Sequence, residues 1–225
     1  MTEPILLIQK RIEFSAARQN EGHNYVAYFA FTGPIHPDTR MILELSIAKQ
    51  ILQEKVLDIV DHHSLDGTLE DMARQLFERA QTAFKGMNAS LVRLTLVESE
   101  EAVIQLDKVN RDTIKIQNAT HLTDFYKMVS VSFNARHQIS NSKVIGKCTR
   151  LHGHQFKLML SLTRPVDDSL RDRLNATCVP LQHSLIQSTA EDFLLSLYEK
   201  LKDIDWIELA LQETPNNMFL LCRPS

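Results

Sequence analysis

The stretch CTRLHGH occupies residues 148–154 and is followed by QFKLMLSL at residues 155–162. The apolar residues of the second run predict a β-strand, and we expect that strand to include His152 and His154. Because residues two apart in a strand point to the same face of a sheet, the two imidazoles would lie side by side. Two neighbouring imidazoles of this kind are able to bind one ion.

A third histidine, His137, ends the upstream run VSVSFNARH at residues 129–137. Three histidines with an open fourth position are typical of a catalytic zinc site rather than a structural one. Cys148 stands just before the histidine pair and is a candidate fourth ligand or a nearby reactive thiol. The alternative is that the histidines lie on the surface and the cysteine is buried and free, but the combination favours a metal site.

The composition of the chain is that of an ordinary globular protein. It has 225 residues, of which 44% are hydrophobic and 24% charged, with a formal net charge of −3. These values predict a soluble protein without a nucleic-acid or membrane partner, and the apolar run from Ile5 to Ile8 is too short for a signal peptide. Cys148, Cys178 and Cys222 are odd in number and far apart, which argues for a reducing compartment, and we expect the cytoplasm. We expect Cys178 and Cys222 to be buried as small hydrophobic residues.

The first half of the chain reads as two strands, two helices and two further strands. Thr68 is a candidate N-cap of the second helix, with Asp71 three residues later, and Gly86 ends that helix. The predicted elements are a strand over Ile5–Phe14, a strand that ends at Phe31, helices over Met41–Val60 and from Thr68 to Gly86, and strands over Ser90–Val97 and Ala102–Leu106.

The second half of the chain repeats the pattern of the first. Four motifs recur in the same order, which indicates a duplication rather than chance. We therefore predict domains at residues 1–110 and 124–225, joined by a polar linker at residues 111–123. The repeated motifs are FSA (14–16) and FNA (133–135), GHNY (22–25) and GHQF (153–156), TLED (68–71) and TAED (189–192), and LVRLTLVE (91–98) and WIELALQE (206–213).

The motifs KCTRLHGH at 147–154 and ETPNN at 213–217 resemble those of the 6-pyruvoyl-tetrahydropterin synthase and 6-carboxytetrahydropterin synthase superfamily. DHHSLD at 61–66 and the two Thr-x-Glu-Asp segments add to the resemblance, which covers both halves. The three-residue gap between Cys148 and His152 is similar to the 6-carboxytetrahydropterin synthase branch. The resemblance implies an α+β fold of two tandem tunnelling-fold (T-fold) units. Each unit would be an antiparallel four-stranded sheet with two helices on one face, and such units pack into barrels.

The resemblance also implies an active site. Its metal is Zn²⁺ held by three histidines, beside a catalytic cysteine, and two glutamates anchor the pterin ring. A carboxylate suits that last role because it accepts two hydrogen bonds from the guanidine-like edge of the ring. Carried onto this sequence, the metal ligands are His137, His152 and His154, the cysteine is Cys148, and the glutamates are Glu213 and Glu191.

The two halves depart from the family pattern in complementary ways. The first half has Arg18 and Glu21 where two zinc histidines would stand, so we expect it to bind no zinc. The second half lacks the aspartate of the family's Asp-His pair. The resemblance therefore assigns Asp61 and His62 of the first half to proton transfer with Cys148, either within one chain or between chains. The alternative for Asp61 and His62 is a polar turn that ends a helix.

The resemblance implies a zinc-dependent lyase. It would convert 7,8-dihydroneopterin triphosphate to 6-carboxytetrahydropterin, acetaldehyde and triphosphate, an early step toward deazapurines such as queuosine. Its only partners would be this small molecule and further copies of the chain, in a homo-oligomer. Two alternatives stay open, namely the 6-pyruvoyl-tetrahydropterin synthase reaction on the same substrate and a non-catalytic protein that binds pterins or purines.

Overall fold

The computed structural model describes residues 3–19, 21–99, 101–109, 113–119, 128–141, 143–144, 149–162 and 167–223. These residues form two compact units. The N-terminal unit takes its residues from 9–34 and 43–125, and the C-terminal unit takes its residues from 1–8, 35–42 and 126–224. The boundaries differ from the predicted division at residues 111–123, because two early segments belong to the C-terminal unit.

The N-terminal unit contains a mostly antiparallel sheet with the strand order β6-β5-β4-β2-β1, and a short strand, β3, runs parallel to β1. The first residues of β1, up to Ile8, belong to the C-terminal unit. The elements are β1 (Ile5–Arg18), β2 (Glu21–Thr32), α1 (Leu45–Leu52) with a π-helical turn (Gln53–Leu57), β3 (Ser64–Leu65), α2 (Leu69–Ala83), β4 (Ser90–Ser99), β5 (Ala102–Asp107) and β6 (Lys115–Ala119).

Helix α2 forms where its sequence predicts it. Thr68 is the N-cap, and its side chain and that of Asp71 close a capping box, as predicted. The apolar face of the helix is buried, which is the main source of helical stability in a folded protein. The buried residues are Met72, Ala73, Leu76, Phe77 and Ala80.

Two predictions for the N-terminal unit need correction. The first helix was predicted from Met41 but begins at Leu45, because residues 36–41 form a turn in which the amide of His36 donates to the carbonyl of Met41 at 2.9 Å. The polar segment predicted as a linker contains β6, which pairs with β5, so this sheet has more than four strands. Strand β6 lacks hydrophobic alternation because its ladder of backbone hydrogen bonds requires no particular side chain, and its two apolar residues, Ile116 and Ala119, pair with Leu106 and Val103.

The C-terminal unit repeats the same order of elements, and its strand order is β11-β10-β8-β7-β9. Helix α4 begins after Thr189, whose side chain accepts a hydrogen bond from the amide of Asp192. Cys178, Cys222 and Trp206 are buried, as expected for the two cysteines. The elements are β7 (Met128–His137), β8 (His152–Ser161), α3 (Asp168–Cys178) with a 3-10 turn (Val179–Leu181), β9 (Leu185–Ile186), α4 (Ala190–Leu201), β10 (Glu208–Thr214) and β11 (Asn217–Cys222).

The short strands β3 and β9 occupy the same place in the two units. Strand β3 runs parallel to the end of β1, where Arg18 pairs with Leu65. Strand β9 runs parallel to the end of β7, where His137 pairs with Ile186. The residue that ends the first strand of each unit is therefore held in the same backbone setting. None of the helices in the part of the chain that the structure describes has the length and apolar character needed to cross a membrane.

Candidate metal centre

The three predicted histidines meet at the point where β7 ends and β8 begins. His137 pairs with His152 across the two antiparallel strands, and Ala135 pairs with His154. Side chains opposite each other and two residues apart share one face of a sheet, so this register brings all three imidazoles together. The ring centroids lie 4.6 to 5.8 Å apart. One ligand atom of each residue lies within 4.8 Å of the others, a spacing at which the trio could hold a metal ion.

Backbone carbonyls orient two of these imidazoles. Nε2 of His137 donates to the carbonyl of Ser188 at 2.9 Å, and Nδ1 of His152 donates to the carbonyl of Arg150 at 2.5 Å. The other nitrogen of each ring, Nδ1 of His137 and Nε2 of His152, is the one left for a ligand, which is how metal-binding histidines are usually prepared. Burial lowers the pKa of His137, but Glu213 and the carbonyl of Ser188 outweigh burial and raise it.

Nδ1 of His137 lacks a well-aligned hydrogen-bond partner. Its Nδ1 is buried and forms no hydrogen bond of good geometry, although Oε1 of Glu213 lies 3.1 Å away. A bound cation would supply the well-aligned partner that this nitrogen lacks. Three imidazoles with an open position form a donor set that suits Zn²⁺, so the residues present fit the metal that the sequence predicts.

Glu213 lies beside this cluster and is 8% exposed. Its Oε1 is 3.1 Å from Nδ1 of His137 and 3.7 Å from Nε2 of His154. Burial disfavours the charged carboxylate, but His137 and the neighbouring imidazoles outweigh burial and lower the pKa of Glu213. Burial also lowers the pKa of His154, which keeps that ring neutral. The cluster therefore combines a charged carboxylate with a neutral imidazole.

Glu191 is a second buried carboxyl in the C-terminal unit and is only 2% exposed. It lies in the first turn of α4 and accepts a hydrogen bond from the amide of Ile42 at 3.3 Å. Burial raises the pKa of Glu191 to about 7, and the negative charges of Glu213 and Asp192 act in the same direction. Near neutral pH this carboxyl is therefore available in both its protonated and its charged form.

Asp61 and His62 lie in the N-terminal unit, in the turn before β3. Nδ1 of His62 donates to Oδ1 of Asp61 at 2.8 Å, and the same oxygen accepts from the amide of Ser15 at 3.0 Å. This bond from Ser15 outweighs burial and, with His62, lowers the pKa of Asp61. His62 adopts a φ of 63° and its side chain is 79% exposed. The structure thus places a charged carboxylate against an exposed imidazole, and His62 lines an open surface pocket of about 550 Å³.

The N-terminal unit carries an ion pair where the C-terminal unit carries the histidine cluster. Arg18 ends β1, and its Nε and Nη2 donate to the two oxygens of Glu98 at 2.8 and 2.7 Å. The hydroxyl of Tyr25 donates to the same carboxylate at 2.8 Å. A guanidinium keeps its proton and offers no lone pair, so Arg18 cannot serve as a metal ligand.

Cys148 lies outside the described residues, so its assignment as the catalytic cysteine stays a prediction. The histidines and glutamates come from motifs that the sequence displays. Sequence reasoning missed the carbonyl of Ser188, the amide of Ile42 and the residues that hold this amide in place. A sequence does not show which backbone groups form hydrogen bonds, and no motif in this sequence indicated these contacts.

A sheet that presents three imidazoles beside two buried carboxyls defines a candidate metal-dependent enzyme. Residues 8–108 and 127–221 match a family model described as 6-pyruvoyl tetrahydropterin synthase. The match takes two segments that together cover most of the chain. This chain belongs to the 6-pyruvoyl tetrahydropterin synthase family.

Individual relatives match shorter parts of the chain. A 6-pyruvoyl tetrahydrobiopterin synthase of Dictyostelium discoideum is 34% identical over 53 residues, which are 24% of this chain. The chain spans only 39% of the length of this curated relative. The solved structure of Caenorhabditis elegans 6-pyruvoyl tetrahydropterin synthase is 22% identical, with a TM-score of 0.42. It covers 48% of this chain and 99% of its own.

Proposed function

We propose that the protein is a zinc-dependent lyase that converts 7,8-dihydroneopterin triphosphate to 6-carboxytetrahydropterin, acetaldehyde and triphosphate. The observation that carries this proposal is the cluster of His137, His152 and His154, whose ligand atoms lie within 4.8 Å of one another. Two of the rings have their tautomers set by backbone carbonyls, and a buried carboxylate lies against the cluster. Family membership supplies the class of substrate.

The three histidines would hold the zinc ion, which when bound supplies a Lewis acid for an oxygen of the substrate side chain. Glu213 is charged and buried, so it suits the N–H groups on the guanidine-like edge of a pterin. Glu191 is able to donate as well as accept a hydrogen bond near neutral pH, because its pKa is about 7. The two carboxyls would therefore bind and orient the ring.

We assign proton transfer to Cys148 and to the pair of Asp61 and His62. Asp61 fixes the tautomer and the orientation of His62 by its 2.8 Å hydrogen bond. The exposed side chain of His62 is then free to take or give a proton. The proposal includes a homo-oligomer, since the family's cysteine works with the Asp-His pair of a neighbouring subunit.

We also propose that each of the two units is a T-fold. The shared order of elements supports this assignment, as does the parallel pairing of the short strands β3 and β9 with β1 and β7. In this reading β6 is an addition to the first unit.

The test is zinc content and product analysis on the wild type, on His152→Ala and on the control His63→Ala. His63 lies beside His62, outside the metal cluster. We expect about one zinc per chain in the wild type and in the control, and little in His152→Ala, because a site of three histidines loses its geometry with two. The wild type should release acetaldehyde and 6-carboxytetrahydropterin.

Other results would change the assignment. Two zinc ions per chain would mean that the N-terminal unit binds metal in spite of Arg18. The absence of zinc from protein never exposed to a chelator would contradict the lyase and favour a pterin-binding protein. A 6-pyruvoyl product would identify the second candidate, which the description of the matched family favours.

A further inference from the structure

Residues 35–42 connect β2 to α1 of the N-terminal unit but belong to the C-terminal unit. They form a compact turn, which we call the 35–42 segment. The amide of His36 donates to the carbonyl of Met41, and the amide of Arg40 donates to the carbonyl of His36, both at 2.9 Å. Arg40 adopts a φ of 61°, a left-handed conformation that a residue with a side chain seldom takes unless its surroundings impose it.

Arg40 holds the segment on the start of α4. Its Nε and Nη2 donate to the two carboxylate oxygens of Asp192 at 3.1 and 2.8 Å. Its carbonyl accepts a hydrogen bond from the hydroxyl of Thr189 at 3.0 Å. A two-point contact between a guanidinium and a carboxylate fixes orientation as well as distance. One residue therefore binds both the N-cap and the third residue of α4.

In the sequence, Glu191 lies between Thr189 and Asp192, the two residues that Arg40 contacts. The amide of Ile42 donates to Oε1 of Glu191 at 3.3 Å, and both residues are buried. At this length the hydrogen bond is weak, so its role is to orient the carboxyl of Glu191 rather than to stabilise it strongly. The 35–42 segment thus provides a hydrogen bond to the buried carboxyl of α4 from a backbone group that Arg40 keeps in place.

In the equivalent helix of the N-terminal unit, the described contacts of the same motif stay within the helix. In α2 the carboxylate of Asp71 accepts from the amide and the hydroxyl of Thr68, at 2.9 and 2.7 Å, and closes its own capping box. Glu70 is half-buried and pairs with Arg74 at 2.7 Å. There the motif stabilises only its own helix.

Helix α4 keeps only half of that arrangement. Thr189 still accepts from the amide of Asp192 at 3.2 Å, but the carboxylate of Asp192 turns to Arg40. The hydroxyl of Thr189 likewise donates to Arg40 instead of to its own helix. Since both helices begin with Thr-x-Glu-Asp, the difference comes from the 35–42 segment and not from the motif.

A second anchor ties the segment to the residues that follow the metal ligand His137. Nδ2 of Asn141 donates to the carbonyl of Asp38. The ammonium of Lys143 lies 2.8 Å from the carboxylate of the same residue. The segment is therefore attached both to α4 and to the chain beyond β7.

We propose that the 35–42 segment is a positioning element of the pterin site, in which Arg40 holds the amide of Ile42 against Glu191 so that this carboxyl meets the ring in one orientation. The inference rests on the proposed function, which makes Glu191 a pterin ligand. Arg40 is a positioning residue and does not itself touch the substrate. Its loss should weaken binding and leave the chemical step nearly unchanged.

The experiment is steady-state kinetics with 7,8-dihydroneopterin triphosphate on the full zinc-loaded chain. The variants are Arg40→Ala, Arg40→Lys and Asp192→Asn, and the control is Arg74→Ala, which breaks the exposed ion pair of α2. We expect Arg40→Ala and Asp192→Asn to raise KM about tenfold, with kcat within about twofold and zinc content unchanged. Arg40→Lys keeps the charge but not the two-point contact, so its KM should lie between that of these two variants and that of the wild type. The control should match the wild type.

Two results would overturn the inference and leave the proposed function standing. One is a KM in Arg40→Ala and Asp192→Asn equal to that of an active wild type. The other is a loss of zinc and kcat with KM unchanged, which would mean that the segment supports the metal centre rather than Glu191. If the wild type itself bound no zinc and turned over no substrate, the proposed function would fail and this inference with it.

Discussion

The two units of this chain treat the same position in opposite ways. Strand β7 of the C-terminal unit ends in His137, whose Nδ1 lies 3.1 Å from Glu213. The strand that opens the N-terminal unit ends in Arg18, which binds both oxygens of Glu98. In one unit the glutamate faces an imidazole, and in the other it faces a permanent cation. One backbone arrangement therefore supports either a histidine cluster or a closed ion pair.

A neighbouring aromatic residue reinforces the difference. Tyr25 of the N-terminal unit donates its hydroxyl to Glu98, and burial together with Glu98 raises the pKa of Tyr25 to about 12. The matching motif of the C-terminal unit has Phe156, which has no hydroxyl to donate. Glu98 thus has its oxygens occupied by Arg18 and Tyr25, whereas Glu213 keeps acceptor capacity for a ligand.

The turns before β3 and β9 show the reverse difference. Oδ1 of Asp61 accepts from the amide of Ser15 at 3.0 Å, and Oε1 of Gln182 accepts from the amide of Asn134 at 2.9 Å. The histidine that follows has a φ of 63° in one turn and 61° in the other. The backbone of the turn is the same, but only the aspartate places a carboxylate beside the histidine.

The largest effect is expected from making the metal centre resemble the ion pair. His137→Arg replaces a ligand with a guanidinium, so zinc should be lost and turnover should fall by roughly a thousandfold or more. Elemental analysis and product formation measure both. The reciprocal variant Arg18→His should retain the zinc and turnover of the wild type, because Glu21 still stands where another histidine is needed. A His137→Arg enzyme that kept its zinc would contradict the assignment of the ligands.

Breaking the ion pair should affect stability rather than zinc. Arg18→Met leaves the carboxylate of Glu98 buried and without its main partner, and we expect the free energy of unfolding to fall by about 3 kcal/mol. Urea denaturation of the metal-free protein measures this change. The exposed pair on α2 is the control, since Arg74→Ala should cost less than about 0.5 kcal/mol. Equal losses in the two variants would mean that burial of the Arg18 pair has no effect.

Asp61→Asn makes the first turn resemble the second. The new side chain keeps an oxygen that accepts from the backbone amide of Ser15 but no longer places a carboxylate against His62, so kcat should fall by about a hundredfold. Zinc content should not change, because the metal ligands are untouched. Rapid-quench or steady-state rates of acetaldehyde release provide the measurement. A variant with the kcat of the wild type would show that the pair is only the polar turn that ends a helix.

The last effect depends on pH and concerns the two Thr-x-Glu-Asp helices. Because the pKa of Glu191 rises from 4.5 to about 7 on folding, the folded state holds its proton more tightly than the unfolded state. Its contribution to stability is present below about pH 4.5 and is lost as pH rises to about 7. Glu191→Gln should therefore gain roughly 3 kcal/mol over the wild type as pH rises from 4.5 to 8. Denaturation curves at both pH values measure this, and Glu70→Gln on α2 is the control.

The sequence predicts the grouping of the three histidines well because strand periodicity and register are local properties. His152 and His154 share a face by their spacing alone, and His137 joins them by simple antiparallel pairing. The partnership of Arg18 with Glu98 joins residues 80 positions apart, so no short motif displays it. The same applies to the amide of Ile42, which reaches Glu191 across 149 positions.

Because the 35–42 segment belongs to the C-terminal unit, the chain cannot be divided cleanly at its middle. A cut anywhere within residues 111–123 would leave the second half without residues 1–8 and 35–42, which belong to its compact unit. That fragment would lose both the beginning of β1 and the amide that meets Glu191. If the gene arose by duplication, its halves have become interdependent. Expressed alone, the second half would lack part of its compact unit. A fission of the gene would therefore need two compensating changes at once.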